Sequence, residues 1–487
     1  MNTKRTTIIA CLCATCLLLS AQAFAQDFPS YLKMAGTKIT GCDKTALPAN
    51  LVIPDGVTKI GDWAFRGCKS LANVTIPNSV TEIGTSAFEG CDSLTSVSIP
   101  TSVKKIDASA FGVRSNIKAV QYKGTLAQWC QMDNDGFLVE NAKTITMSDV
   151  ADLKAMTALT IQKGVTKIAH AAFSNCEKLM KVKIPNTVTE IGNGAFFNCD
   201  SLASVTIPAS VKNIREGAFA GCERLASVKI SDGVTEIGER TFCECKSLES
   251  ISLPASVTKI DSRAFDDCDN IKTVQYKGTL AQWCQMDNDG ALVQNAKTII
   301  MSDVADLKAM TALAIPNGVT RIGSYVFFEC TSLATVSIPA SIKSIEEGAF
   351  AGCEELVSVT IHGGVTKIGY GTFAGCTSLA NMDIPASVTE IGDWAFRGCI
   401  SLDSVTIPTS VTKIGNRTFY DCTSLASMEI PTSVTEIGED AFAYCSQLEE
   451  VKYLGTKAQW RNVTKGNEWY KIFARKVVCT DSEADLD

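Results

Sequence analysis

Leu71-Ala-Asn-Val74-Thr-Ile76-Pro77-Asn-Ser-Val80-Thr-Glu-Ile83-Gly84-Thr-Ser-Ala87-Phe88-Glu-Gly90-Cys91 is one copy of a unit that recurs along the chain with a step of 23 residues. The closing cysteine returns at Cys68 and Cys91, at Cys176, Cys199, Cys222, Cys245 and Cys268, and at Cys330, Cys353, Cys376, Cys399, Cys422 and Cys445. A fixed period of this size marks a solenoid, in which each unit buries its apolar edge only against its neighbours. Such a chain offers extended surface and has little need of a cleft.

One unit reads as one rung. Leu71, Val74 and Ile76 have the spacing of a short strand whose alternate side chains point inward. Pro77 donates no ladder hydrogen bond and ends that strand. Val80 and Ile83 form a second inward step, Gly84 is expected to let the chain turn, and Ala87 and Phe88 fill the rear of the coil. Each buried aliphatic or Phe side chain contributes very roughly 1.5 to 3 kcal/mol, most of it realised only when rungs stack.

The strings I-P-x-S-V-T-x-I-G-x-x-A-F-x-x-C, such as Ile207 to Cys222 and Ile384 to Cys399, resemble the leucine-rich repeat superfamily and within it the BspA-like bacterial surface type. Fourteen units carry the pattern, centred on Phe65, Phe88, Phe111, Phe173, Phe196, Phe219, Phe242, Phe265, Phe327, Phe350, Phe373, Phe396, Phe419 and Phe442. The resemblance covers most of residues 42–455. It implies a leucine-rich repeat solenoid of short parallel strands with loop or short helical backs, right-handed, elongated and curved, with a strand-lined concave face. Relatives of this type act in adhesion and protein binding at cell surfaces. The ladder cysteines fall where leucine-rich repeats place a small, inward-facing Asn or Cys.

The units fall into blocks of three (51–123), five (156–277) and six (310–453), separated by inserts at 124–155 and 278–309. Val120 to Gly136 recurs identically at Val274 to Gly290, and Met147 to Leu159 returns at Met301 to Leu313, an offset of 154 residues that implies block duplication. A diverged copy, Val451 to Trp460, opens a C-terminal cap and tail at 454–487. Leu126 to Met132 reads as a short helix and Lys143 to Met147 as a strand. Trp129, Trp283 and Trp460 read as packing residues over a rung edge rather than ligand platforms. Residues 26–50 read as an atypical N-terminal cap, with Gly41-Cys42-Asp43 resembling the end of a repeat.

At the start, Lys4 and Arg5 precede an apolar run from Thr6 to Leu19 and then Ala23-Phe24-Ala25, the pattern of a secretory signal over 1–25. Acylation at Cys11 or Cys16 is disfavoured because the apolar run continues past Cys11. The protein is therefore expected to be exported, as a secreted, surface or periplasmic chain without a membrane span. The formal charge of −7, less the two charges of Lys4 and Arg5, gives −9 for the mature chain. No basic patch supports a nucleic-acid partner. Of 21 cysteines, 18 survive removal of the signal, and 13 of these hold the one repeat position. Stacked rungs about 4.8 Å apart bring them into disulfide range, but parallel Cβ vectors disfavour the disulfide torsion. A buried thiol column is the expectation.

Catalysis finds no support. The two histidines, His170 and His362, lie at variable repeat positions without the third group that a Ser-His or Cys-His pair needs. Acidic residues vary freely between repeats, and inserts of about 35 residues are too short for a catalytic domain. Asp133-Asn134-Asp135-Gly136 and its twin at 287–290 fail the calcium-loop pattern, since Gln131 and Ala142 occupy two ligand positions; a turn is expected. Cys243-Glu-Cys245 is a weak metal signal because Cys245 belongs to the column. The Asn-x-Thr sites at Asn73, Asn416 and Asn462 are too common a match to argue glycosylation. No cofactor or metal is expected.

Stacking turns repeat positions into columns. The exposed strand position carries Thr75, Ser98, Lys183, Thr206, Lys229, Ser252, Ser337, Thr360, Asp383, Thr406 and Glu429, and is the expected ligand-facing column. A second column, running from Lys59 and Glu82 to Lys413 and Glu436, often alternates in sign. The reading that follows is a non-catalytic adhesion or protein-binding molecule using its strand face. Its partner would be an extracellular-matrix or plasma protein or another cell's surface. The alternative is a structural surface component that associates with itself.

Overall fold

The computed structural model describes residues 28–107, 109–113, 115–134, 136–469 and 476–484. The segment read as a signal, 1–25, lies outside them. The chain divides into two compact units, Met1–Leu153 and Lys154–Asp487. Each is a parallel β-solenoid.

In both units each regular repeat contributes two strands, and the first and second strands build separate sheets. The second unit shows the register most fully. Its first sheet stacks Ala158–Thr160, Lys181–Lys183, Ser204–Ile207, Ser227–Ile230, Ser250–Leu253, Thr273–Tyr276 and Thr298–Ile300. Partners are the same repeat position one rung apart, as in Val205 with Val228 and Ile207 with Ile230. Alternation places Val205 and Ile207 in the core and Thr206 outside. The second inward step is itself a strand of two residues, Lys167–Ile168, Glu190–Ile191, Asn213–Ile214, Glu236–Ile237 and Lys259–Ile260, stacked in a sheet of its own. The sequence suggested an inward step there, not a ladder.

A third set of backbone bonds closes the rear of the coil. The Phe196 amide donates to the Ala218 carbonyl and the Phe219 amide to the Thr241 carbonyl, both at 2.8 Å, each reaching into the following rung. The phenyl rings stack in step. In the second unit their centroids lie 5.1 to 5.6 Å apart with planes within 17° of parallel. The first unit repeats this at 5.2 Å from Phe65 to Phe88 and Phe88 to Phe111.

The repeat glycine has a different reason from the one expected. Gly192 does not occupy the left-handed region; a Cβ there would lie 2.8 Å from the Ala169 carbonyl carbon and the His170 nitrogen of the rung below. Gly84 likewise would place a Cβ 2.7 Å from the Asp62 nitrogen. Close approach of successive backbones, not a turn, requires glycine here. The left-handed residue comes two positions later, for example Gly194 (φ 57°) and Gly217 (φ 58°).

At the N-terminus, Leu32–Ala35 and Lys38–Cys42 form an antiparallel pair, and Ile39 continues in parallel onto Ile60. The outermost strand of that sheet thus runs against the ladder instead of extending it, which blunts an open edge. The duplicated insert is not a gap in the second unit. The Thr279-capped helix Leu280–Cys284 leads into Asp287, whose carbonyl accepts from the Ile260 amide at 2.8 Å, while the Gly323 amide donates to the Cys284 carbonyl at 2.7 Å. The segment 284–287 therefore takes the place of one second-strand rung. Trp283 is buried and donates its indole N–H to the Val326 carbonyl at 2.8 Å. The packing role expected for Trp129, Trp283 and Trp460 holds: all three are buried, with Tyr122, Tyr276 and Tyr453 against them at 5.2 to 5.4 Å. A second short helix in each duplicated insert, Phe137–Asn141 and Ala291–Asn295, was not anticipated from sequence.

Ile207 has no exposed surface and sits mid-stack. Replacing it with Ala should lower stability by roughly 2 to 5 kcal/mol, read as an earlier urea midpoint. An unshifted midpoint contradicts an inward Ile.

Candidate interaction surfaces

On the strand face the eleven column residues stand where alternation puts them. Thr75, Lys183, Thr206, Lys229, Thr360, Asp383, Thr406 and Glu429 are exposed, and Ser98, Ser252 and Ser337 are half-buried between neighbours. Thr206, Lys229, Ser252 and Gln275 follow one another across four adjacent strands. They line an open depression of about 540 Å³. Glu429 is paired with Lys452 at 2.6 Å. Lys183 and Lys229, by contrast, have no carboxylate within ion-pair distance among the described residues, so their ammonium groups face solvent uncompensated.

The alternating column behaves as its signs suggest. Lys59 meets Glu82 at 2.6 Å, Lys259 meets Glu236 at 2.9 Å, Lys367 meets Glu390 at 3.0 Å and Lys413 meets Glu436 at 2.6 Å. Solvent-exposed pairs of this kind give about 0 to 1 kcal/mol each, and they favour one register over its neighbours. Where such pairs form, the charges are already engaged and offer a ligand less than the strand face does.

The thiol column is buried. From Cys91 onward, most ladder thiols donate to the carbonyl of a Phe 26 residues back, as Cys199 does to Phe173 and Cys222 to Phe196, both at 3.2 Å. Burial pushes the Cys222, Cys330 and Cys399 thiols up to about 12. Cys68 has no Phe below it. The residue 26 positions back is Cys42, and the two sulfurs lie 3.3 Å apart. The Cys42 thiol beside it holds Cys68 below its ordinary range.

The remaining sequence candidates separate cleanly. His170 and His362 are both exposed, and His362 Nε2 lies 3.2 Å from the Ser337 hydroxyl. Asn134 turns its side-chain oxygen onto the Gly136 amide, as expected of a turn; Asp135 lies outside the described residues. In the twin turn, Asp289 accepts from the Phe265 and Leu292 amides, and Asp287 is held by Arg321 at 2.7 Å, so these carboxylates are already engaged. Cys243 and Cys245 diverge. Cys245 faces the ladder, while the Cys243 sulfur lies within 4.8 Å of carboxylate oxygens of Glu244 and Asp267. Burial and those carboxylates push the Cys243 thiol up to about 11, which leaves a neutral sulfur near pH 7.

One feature of the surface was missed in the sequence. After its second strand, the second unit presents Tyr370, Trp394, Arg397, Tyr420 and Tyr444 together. Tyr370 is 48 % and Tyr444 39 % exposed. The Arg397 guanidinium lies 4.7 Å from the Trp394 ring centre and 5.7 Å from that of Tyr420. Tyr370 meets Trp394 at 6.2 Å and Tyr420 meets Tyr444 at 4.9 Å. The signal was present: the string Ile-Gly-Asp-Trp-Ala-Phe-Arg-Gly-Cys occurs identically at 60–68 and 391–399, and these are the two repeats with Trp at that position.

A family model of the BspA-type leucine-rich repeat region, six copies long, matches residues 43–149, 143–272, 298–392 and 366–461. The chain belongs to that family. Among solved structures it is similar to a leucine-rich cell surface protein from Faecalibacterium prausnitzii, with 27 % identity over 90 % of this chain and 99 % of that one and a TM-score of 0.41. A leucine-rich repeat protein from Bacteroides ovatus is 25 % identical over 83 % of both chains, with a TM-score of 0.38. The pneumococcal vaccine antigen PcpA is 16 % identical over 93 % of this chain and 97 % of its own, with a TM-score of 0.41. No functionally curated protein matches. The family is one of cell-surface proteins, and no helix among the described residues is long and apolar enough to cross a membrane.

Two outcomes follow from the buried column. A maleimide reagent should leave the ladder cysteines from Cys91 onward unmodified in the native protein and reach them only in denaturant; rapid native labelling of that ladder refutes the burial. The raised thiol pKa values also set a pH dependence. Below the ordinary value of 9.0 the thiols are neutral in both states. Above it the unfolded chain releases protons first, so stability is lost as pH rises from about 9 toward about 12. The urea midpoint should therefore fall between about pH 8 and pH 10.5, and less so in a Cys222→Ala, Cys399→Ala variant. A midpoint that holds or rises contradicts a protonated, buried ladder.

Proposed function

We propose that this chain is an exported, non-catalytic surface protein that binds a protein partner through the strand face of its repeat blocks, 51–123, 156–277 and 310–453. The observation that carries the reading is the depression over Thr206, Lys229, Ser252 and Gln275. It is a hydroxylated floor carrying the ammonium groups of Lys229 and Lys277, which have no carboxylate within ion-pair distance among the described residues. A floor of short Thr and Ser side chains loses little conformational entropy on contact. Uncompensated lysines select a partner of complementary sign and speed its encounter. The membership of a surface-protein family supports the same reading, as does the signal-like segment at 1–25.

The test is binding of the full mature chain to immobilised extracellular-matrix and plasma proteins, with a glycan panel alongside. Saturable binding to a protein is expected, weakened about tenfold or more by Lys183→Glu with Lys229→Glu. Glu429→Lys should matter less, because Lys452 already offsets that carboxylate. Silence on both panels, together with concentration-dependent self-association, would move the assignment to a structural surface component.

A further inference from the structure

The duplicated string Ile-Gly-Asp-Trp-Ala-Phe-Arg-Gly-Cys supplies its own control. In both copies Trp occupies the left-handed position, φ 56° at Trp63 and φ 64° at Trp394, which other rungs fill with residues as different as Gly371 (φ 55°), Tyr325 (φ 55°) and Arg417 (φ 52°). The copies differ one rung further on. The arginine of the first copy, Arg66, is neutralised by Glu89 at 3.0 Å. The residue equivalent to Glu89 beside the second copy is Tyr420. Arg397 consequently stacks against two rings and has no carboxylate within ion-pair distance among the described residues. Its neighbour Arg417 is paired with Asp440 at 3.0 Å.

We propose that Tyr370, Trp394, Arg397, Tyr420 and Tyr444 form a second docking surface, for an acidic segment of a partner protein whose carboxylate takes the place at Arg397 that Glu89 takes at Arg66. Tyr, Trp and Arg are the residues that carry most of the energy in protein interfaces. The guanidinium is already ordered by its two rings, so little freedom is lost on binding. A glycan fits less well, because the Trp394 ring is approached by Arg397 at 4.7 Å and Arg417 at 5.5 Å and has little open face for a sugar. The surface is separate from the strand face and stands whether or not the strand face binds anything.

The test pans a displayed random-peptide library against the full chain, with Tyr420→Glu as the decisive variant. That change rebuilds the internal ion pair of the first copy and so should fold normally while occupying Arg397. Enriched peptides should carry Asp or Glu beside apolar residues and bind Tyr420→Glu and Arg397→Glu at least about tenfold more weakly. Trp394→Gly should also weaken them, and Arg66→Glu should not. Peptides without acidic residues, or affinities unchanged in Tyr420→Glu, overturn the proposal. So does a Tyr420→Glu-sensitive response to acidic glycans alone. A matrix protein that binds wild type and Tyr420→Glu equally would leave the strand-face reading intact while removing this one.

A different observation carries a second inference, which rests on export into an oxidising compartment. The Cys42 and Cys68 sulfurs face each other at 3.3 Å, and Cys42 is half-exposed, whereas the ladder thiols above them are turned onto Phe carbonyls. We infer that Cys42 and Cys68 form a disulfide that ties the N-terminal antiparallel pair to the first rung. The two thiols lose two protons and two electrons. A disulfide oxidant, such as oxidised glutathione or an oxidoreductase of the same chemistry, accepts them and leaves as two thiols. Equilibrating the full chain in a glutathione buffer and mapping peptides by mass should show a Cys42–Cys68 link two hydrogens lighter than the free pair. Proteolytic release of residues 28–50 should be faster in Cys42→Ser. Both cysteines still reduced in fully oxidised glutathione, or Cys68 linked to Cys91, overturns the inference. Because the buffer sets the potential, that result is independent of where the protein resides.

Discussion

The strand ladders and the ring stack join like positions of successive rungs, so most buried side chains must pack on a near copy of themselves, the Phe rings about 5 Å apart. That constraint explains most of the residue choices. Phenyl rings tolerate self-stacking and form an unbroken series from Phe327 to Phe442. Like charges do not, and in the second-strand column Lys59, Lys259, Lys367 and Lys413 each meet a Glu one rung away. Cysteine suits a buried column because its weak S–H donor needs only a carbonyl from the rung below, which Phe173, Phe196 and their equivalents supply. Glycine recurs where the next backbone leaves no room for a Cβ.

The same constraint decides what the sequence made legible. Val205, Ile207, Phe219 and Cys222 repeat because they are buried, and their period gives the rung directly. The second ladder was harder to see. A strand of two residues, such as Asn213–Ile214, is too short for alternation to appear, and only stacking turns it into a sheet. Gly192 looked like a turn residue because glycine serves turns and close approaches equally well in sequence, and only the neighbouring backbone distinguishes them. The insert at 278–309 looked like an interruption, yet 284–287 takes the place of a rung through backbone bonds that no side-chain pattern records.

Function is less legible for a related reason. Positions that must stack on themselves are fixed by the fold, and positions free to vary are the ones a partner can read. The hydroxyl-rich strand column could be listed in advance, but the uncompensated state of Lys183 and Lys229 depends on which neighbours reach them. The Trp394–Arg397–Tyr420 group lay in a turn with no helical or strand period. Its distinctive property, an arginine whose counter-charge has been replaced by a tyrosine, emerges only from setting one rung against its twin.

The central claim is that three hydrogen-bonded lines, two strand ladders and the Phe side, hold each rung to the next. Native-state hydrogen exchange tests it most directly. Gly192 and Gly238 donate to Ile168 and Ile214 at 2.8 Å beside the second ladder, and the Phe196 and Phe219 amides donate on the Phe side. These amides should be protected as strongly as those of the first strands around Val205 and Val228, with the pattern repeating every 23 residues. Exchange of Gly192 and Gly238 at the rate of an unfolded peptide, with protection confined to the first strands, would contradict the account.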